Sequence, residues 1–258
     1  MSDLATSTPV GQALTMAGRC LRVSRRQVDA LIMSLLLPVL LMVMFVELFG
    51  GAIDTGTKYV TYVVPGVILL CAGFGSATTA VSVSQDMTGG LMDRLRSMNV
   101  SGKAVLAGHV TASVARTAVS IELVFLVAAV LGFEPSAGPL DWLAVAGVLL
   151  AFVIAVSSLA VAIGLLAKSP EAANGFTFFV TFLPYASSGF VPVHTMPSWI
   201  QGFALHQPIT PITETLRGLL LGTGVGSNPW QALAWCGAVT AISVAVSSVL
   251  FQRRIARS

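Results

Sequence analysis

With 258 residues, 55% of them hydrophobic and only 10% charged, the chain departs far from a soluble domain, in which about a quarter of residues carry charge. Its formal charge of +3 is too small to serve a nucleic-acid surface, and no nucleic-acid partner is expected. A bilayer core about 30 Å thick takes roughly 20 apolar residues of helix, so six crossings use about half the length and leave no room for a large soluble domain.

Residues 1–9 are small and polar and read as a disordered N-terminus. From 10 to 28, Leu14, Leu21 and Val28 recur seven apart with Arg19, Arg22, Arg25 and Arg26 between them. This is the pattern of an amphipathic helix lying on a membrane surface. The same arginines also read as a plain basic flank that fixes orientation on anionic headgroups, and the two readings are compatible. Asp3 and Asp29 join these arginines in the first thirty residues, so no cleavable signal peptide is expected. Cys20, Cys71 and Cys236 are too far apart for a redox or metal motif and read as isolated thiols.

Residues 29–258 read as one all-α membrane domain with six spans, at about 30–49, 60–84, 106–131, 142–166, 172–190 and 229–251. With the N-terminus cytoplasmic, only Lys58 and Arg217 of the 14 Lys and Arg residues fall outside, which sets the orientation. Both termini are then cytoplasmic, in a multi-pass protein of the inner or plasma membrane. Trp142, Trp199 and Trp230 fall near interfacial depth, where indoles prefer to sit.

Two connecting segments stand out. The first inner loop, 85–103, reads QDMTGGLMDRLRSMNVSGK and places Leu91, Leu95 and Met98 on one helical face, apart from Asp93, Arg94 and Arg96. It reads as a short amphipathic helix able to receive a push from a soluble partner, or as a solvated turn. The outer segment 187–222 is apolar but interrupted by Pro192, Pro197, Pro208 and Pro211, so no single helix crosses there. Short helices that dip into the outer leaflet and return are expected, with their irregular backbone shielded by protein or lining a wet cavity; an ordinary folded outer loop is the alternative reading.

In order after the fifth span, SGFVPV, MPSWIQGFA, QPITP and LRGLLLG resemble the ABC type-2 exporter permeases, most closely the daunorubicin-resistance-type branch. The inner loop is similar too, with Asp86, Gly90, Leu91, Asp93, Arg94, Leu95 and Arg96 matching the family's run before the third span; Asn99 stands where the family often has Pro. The resemblance implies the transmembrane permease subunit of an exporter for an amphipathic or hydrophobic compound, a drug, an antibiotic or a lipid. It implies pairing with a second permease copy or paralogue and with two cytoplasmic ATPase subunits that bind ATP and Mg. It also implies that Asp86–Met98 docks on the ATPase as a coupling helix, with 10–28 as the connecting helix. The outer gate would involve Gly189, Pro192, Met196, Pro197, Trp199, Pro208 and Arg217.

No cofactor is expected in the chain itself. Its one Gly-Lys pair, Gly102-Lys103, has Ser97 and Ala104 where a phosphate-binding loop needs Gly and Ser or Thr. The permease is therefore expected to be non-catalytic. Glu122, in the third span, reads either as a substrate contact or proton carrier, or as a neutral acid hydrogen-bonded within the bundle. Arg116 is expected to snorkel toward the headgroups. Phe178, Phe182 and Tyr185 share a face of the fifth span and read as a greasy path or as helix packing. Gly218 and Gly222 read as the end of a short helix, and His194 and His206 have no neighbours at metal-ligand spacing. An ion-coupled secondary transporter is the competing function, although no internal repeat is evident. An intramembrane hydrolase lacks its GxSxG.

Overall fold

The computed structural model describes residues 9–26, 28–53, 55–89 and 102–255. Within them are nine α-helices and no strand: α1 (Pro9–Arg26), α2 (Val28–Phe49), α3 (Tyr59–Thr88), α4 (Gly102–Val130), α5 (Pro139–Leu166), α6 (Pro170–Phe182), α7 (Ser198–His206), α8 (Ile209–Leu221) and α9 (Asn228–Ile255). Four of them contain stretches long and apolar enough to cross a membrane: Tyr59–Thr88, Ala104–Val130, Pro139–Leu166 and Asn228–Phe251. α2, with 22 residues, is about 33 Å long at 1.5 Å per residue, and also exceeds the hydrocarbon thickness.

α3 is the axis of the molecule. It is apolar on all sides, as a helix surrounded by others must be, and Val63, Val64, Val67, Leu69 and Leu70 are fully buried along it. α2, α4, α5, α6 and α8 all pack on it, while α9 packs on α5 and α8. α2, α4, α5 and α6 form a partial ring around α3 by neighbour contacts of α2 with α4, α4 with α5, and α5 with α6, open between α6 and α2. α1 lies outside the ring against α4, where Met16 and Ala17 are buried beside Gly108. Its Leu14 points outward at 64% exposed, the arrangement a surface helix needs to present an apolar side to lipid.

The fifth expected span, 172–190, takes a different form. α6 stops after 13 residues at Phe182, and Leu183–Ala186 continues as a 3-10 turn. Pro184 is the cause: it has no N–H to give to the preceding turn and its ring collides with the carbonyl four residues back. Helix and turn together reach about 28 Å, close to the hydrocarbon thickness. Residues 187–190 then fold inward and are all buried, with the Tyr59 hydroxyl donating to the Phe190 carbonyl at 3.0 Å. Here two glycine backbones touch, since a Cβ on Gly66 would sit 2.7 Å from the Gly189 carbonyl oxygen.

That contact generates a test. Gly66→Ala is expected to cost about 1–3 kcal/mol by overpacking, whereas Gly147→Ala, where a Cβ meets nothing within 4 Å, is expected to be neutral or stabilising by a few tenths of a kcal/mol in a helix interior. Thermal melts of the two variants in the same detergent check it.

Candidate functional site

Chemistry-bearing side chains gather at both ends of α3, named inner and outer after the orientation expected from the distribution of Lys and Arg in the sequence. At the inner end, Asp86 occupies the last turn of the helix. Its two oxygens accept from the Arg19 guanidinium of α1 at 2.9 and 3.0 Å, a bidentate geometry that fixes direction as well as distance. His109 of α4 places Nε2 3.1 Å from Asp86 Oδ2, and the Cys20 sulfur lies 3.7 Å from the other ring nitrogen. One carboxylate thus ties α1, α3 and α4. The bond to Asp86 raises the Arg19 pKa, so the pair stays ionised. Two turns further along, Arg116 donates to the Gly75 carbonyl at 3.0 Å and the Thr79 hydroxyl at 2.7 Å. It is therefore held by α3 rather than extended to headgroups, because carbonyl and hydroxyl acceptors lie nearer than water.

The resembling inner-loop residues follow directly on this joint. Gly90, Leu91, Asp93, Arg94, Leu95 and Arg96 lie outside the described residues, so among the family-matched positions there the structure places Asp86 alone.

At the outer end, Arg217 of α8 is buried at 8% exposure. Its guanidinium sits 3.7 Å from the centre of the Tyr62 ring, donates to the Ser188 and Tyr62 carbonyls at 2.6 and 3.2 Å, and pairs with Glu214 at 2.6 Å. Each contact uses a property peculiar to guanidinium: a flat face for the ring and a fork of donors for the acceptors. A cavity of about 580 Å³ opens beside this cluster, lined by Tyr62, Ser188, Pro192, His194, Glu214 and Arg217 among others. Lys58 and Glu134 pair at 3.1 Å on the surface nearby, 60% and 78% exposed, where such pairs contribute little.

The other outer residues hold the segment's shape. Pro197 and Pro208 immediately precede α7 and α8, where a missing N–H costs nothing. The Met196 carbonyl accepts from the Gln201 amide at 2.7 Å, and Trp199 stands 80% exposed. α8 ends at Gly222, whose φ of 64° is the left-handed cap that its sequence position anticipates.

The expected substrate-path residues fall in two places. Phe178, Phe182 and Tyr185 stack in succession at 4.3 and 5.4 Å, and the row continues through Phe190 to Phe45 of α2 at 5.0 and 4.9 Å. It bridges the open side of the ring, between α6 and α2. Glu122 lies elsewhere, exposed in a groove between α4 and α5, and is not enclosed by the bundle.

The sequence pattern of the ABC-2 type transporter family matches residues 11–221. The chain is similar to the daunorubicin resistance ABC transporter permease protein DrrB1 of Streptomyces coeruleorubidus, 30% identical over 221 residues that cover 85% of this chain and 78% of that protein. It is also similar to the probable doxorubicin resistance ABC transporter permease protein DrrC of Mycobacterium tuberculosis, 26% identical over 249 residues that cover 95% and 89% of the two chains.

The outer cluster predicts an asymmetry between its ionic partners. Arg217→Met strands two buried carbonyls and is expected to cost about 3 kcal/mol. Glu214→Gln leaves Arg217 its carbonyls and its ring and is expected to cost about 1 kcal/mol or less. Equal losses of stability in thermal melts are the contrary result.

Proposed function

The chain belongs to the ABC-2 type transporter family, and from that membership we propose that it exports an amphipathic or hydrophobic compound by alternating access driven by separate ATP-binding subunits. Drugs of the kind named for its relatives are the first substrate class to examine. Two cytoplasmic ATPase subunits bind ATP and Mg, and the permease contributes no covalent step. In the membrane of the cell, with both termini cytoplasmic, α2, α3, α4, α5, α6 with its 3-10 turn, and α9 are the six spans.

The observation that carries this reading is that α3 bears a polar joint at each end. With Asp86–Met98 as the coupling helix, a push from a closing ATPase pair enters the inner joint at Asp86 itself. Through the same carboxylate it reaches α1, the connecting helix, and α4. At the other end, Tyr62 is 24 residues from Asp86 along α3, about 36 Å at 1.5 Å per residue, and there Arg217 holds the short outer helices that cap the exit. A packed helix has low compressibility, so displacement at one end is felt at the other.

A second permease copy fits the side where α2 and α6 flank α3. Ile32, Leu36, Leu40 and Met44 of α2 and Phe178, Phe179 and Phe182 of α6 are all exposed there, and the aromatic row would lie at the seam. Swinging a two-state bundle from 1:99 to 99:1 takes about 5.5 kcal/mol of differential binding, a range that a coupled ATPase can supply.

Two experiments bear on this. Co-expression with the ATPase encoded nearest to it, purification through a tag on this chain alone, and assay in lipid discs are expected to yield a stoichiometric complex with vanadate-sensitive ATP hydrolysis. A stable chain that retains no ATPase points instead to ion coupling, tested next with a proton gradient and Glu122→Gln. Separately, Arg94→Glu combined with Arg96→Glu is expected to leave insertion intact while uncoupling ATP hydrolysis from transport; normal export by the well-folded double variant removes Asp86–Met98 from the coupling role.

A further inference from the structure

The lateral face between α4 and α5 carries a groove of about 520 Å³, a size suited to one drug-sized molecule. Of the residues that line it, Glu122 is the one ionisable group. Its side chain is exposed, and among the described residues it makes no ion pair or hydrogen bond. Around it Val119, Leu123 and Leu126 of α4 and Leu143 and Leu150 of α5 are exposed and apolar, the surface expected of a face that meets lipid tails. Glu122 lies eight residues before the end of α4 at Val130, about 12 Å by helical rise and so below the headgroups.

A carboxylate left without a counter-charge at that depth is unfavourable, and a cation delivered to it is stabilised in proportion. Across the groove Phe125 and Trp142 meet edge to face at 5.4 Å, offering ring surface for a flat apolar body or for the cation itself. We propose that this groove binds an amphipathic organic cation: a protonated amine carried on a flat apolar body. The ammonium sits against the Glu122 carboxylate, and the body lies along Phe125, Trp142 and the Leu149–Leu150 wall of α5. Charge complementarity selects the cation, and depth selects against a lipid ammonium, which stays with its headgroup above Glu122. The proposal rests on the export reading in that this groove is where a compound dissolved in the bilayer meets the permease, but binding is measurable without transport.

The test uses the full chain in lipid discs with no ATPase present. Dansylcadaverine, a primary amine on an aromatic body, and its neutral N-acetyl derivative are titrated while energy transfer from tryptophan to dansyl is read, with empty discs as the blank. The amine is expected to bind about tenfold or more tighter than its neutral analogue. Glu122→Gln, at an exposed position where folding is retained, is expected to bring the two within about twofold. Ala146→Phe, which fills the groove from the α5 side, is expected to weaken both. Equal binding of amine and analogue by the unaltered chain, or an undiminished preference in Glu122→Gln with an unchanged melt, overturns the proposal. With no ATPase in the discs, a negative result leaves the exporter reading intact, and a failed co-purification leaves this site standing.

Discussion

In a medium without water, every polar group must find its partner within the protein, and a buried amide or hydroxyl without one costs about 2–7 kcal/mol. The long helices meet this demand with their own backbone. Hydroxyls within them turn back on the preceding turn, as Ser82, Thr111, Ser120 and Thr240 do, or pair between helices, as Ser157 does with Ser113 at 2.8 Å. The proline-broken outer segment cannot do so, and it depends on Arg217. One guanidinium supplies hydrogen bonds to two carbonyls on different strands of chain and to a carboxylate, while its flat face lies on Tyr62. Together with the Tyr59 hydroxyl on the Phe190 carbonyl, that donor fastens the turn at 187–190 to α3.

The same demand explains why α3 carries both joints. A helix enclosed on all sides exposes polar groups only where it leaves the bundle, and there Asp86 and Tyr62 are met by arginines from elements outside the ring. Both arginines come from helices that also bury apolar side chains, Met16 and Ala17 in α1 at the inner end and Ile212, Leu216 and Leu220 in α8 at the outer. To that packing the arginines add contacts that are directional and polar. Such contacts have discrete alternatives, broken or made, whereas aliphatic packing slides and yields gradually. A transporter that must exist in two states has reason to join its moving parts in this way.

Much of the architecture was legible in the chain. Apolar runs long enough to cross the bilayer announce most of the spans, and the prolines at 192, 197, 208 and 211 announce the broken outer segment, because both follow from one-dimensional rules about length and backbone donors. Pro184 lay in plain view as well, yet the apolar character of 172–190 concealed that it would end α6 at Phe182. What sequence alone does not carry is which faces meet. His109 bears no motif, and its place beside Asp86 follows from the packing of α3 on α4. Arg116 is directed inward by Gly75 and Thr79 for the same reason. Glu122 and the Phe178–Phe182–Tyr185 stripe are equally conspicuous in sequence, and only the ring order separates them.

That separation bears on how the molecule is used. Around α3 the order α2, α4, α5, α6 places the Glu122 groove across the axis from the aromatic seam between α6 and α2. If a second permease covers the seam, its two exposed helices leave the lipid, and the α4–α5 face remains open to the bilayer. A compound could then arrive laterally at an acid on one side of α3 while the partner stands on the other, without either displacing its neighbour. The reverse arrangement, with the partner on α4 and α5, buries an unpaired carboxylate at the interface and leaves a row of stacked aromatics in contact with lipid tails that offer them nothing beyond dispersion. The first arrangement covers the aromatic row and leaves Glu122 open to a cation arriving from the bilayer, and on that ground it is the one the chain's own chemistry favours.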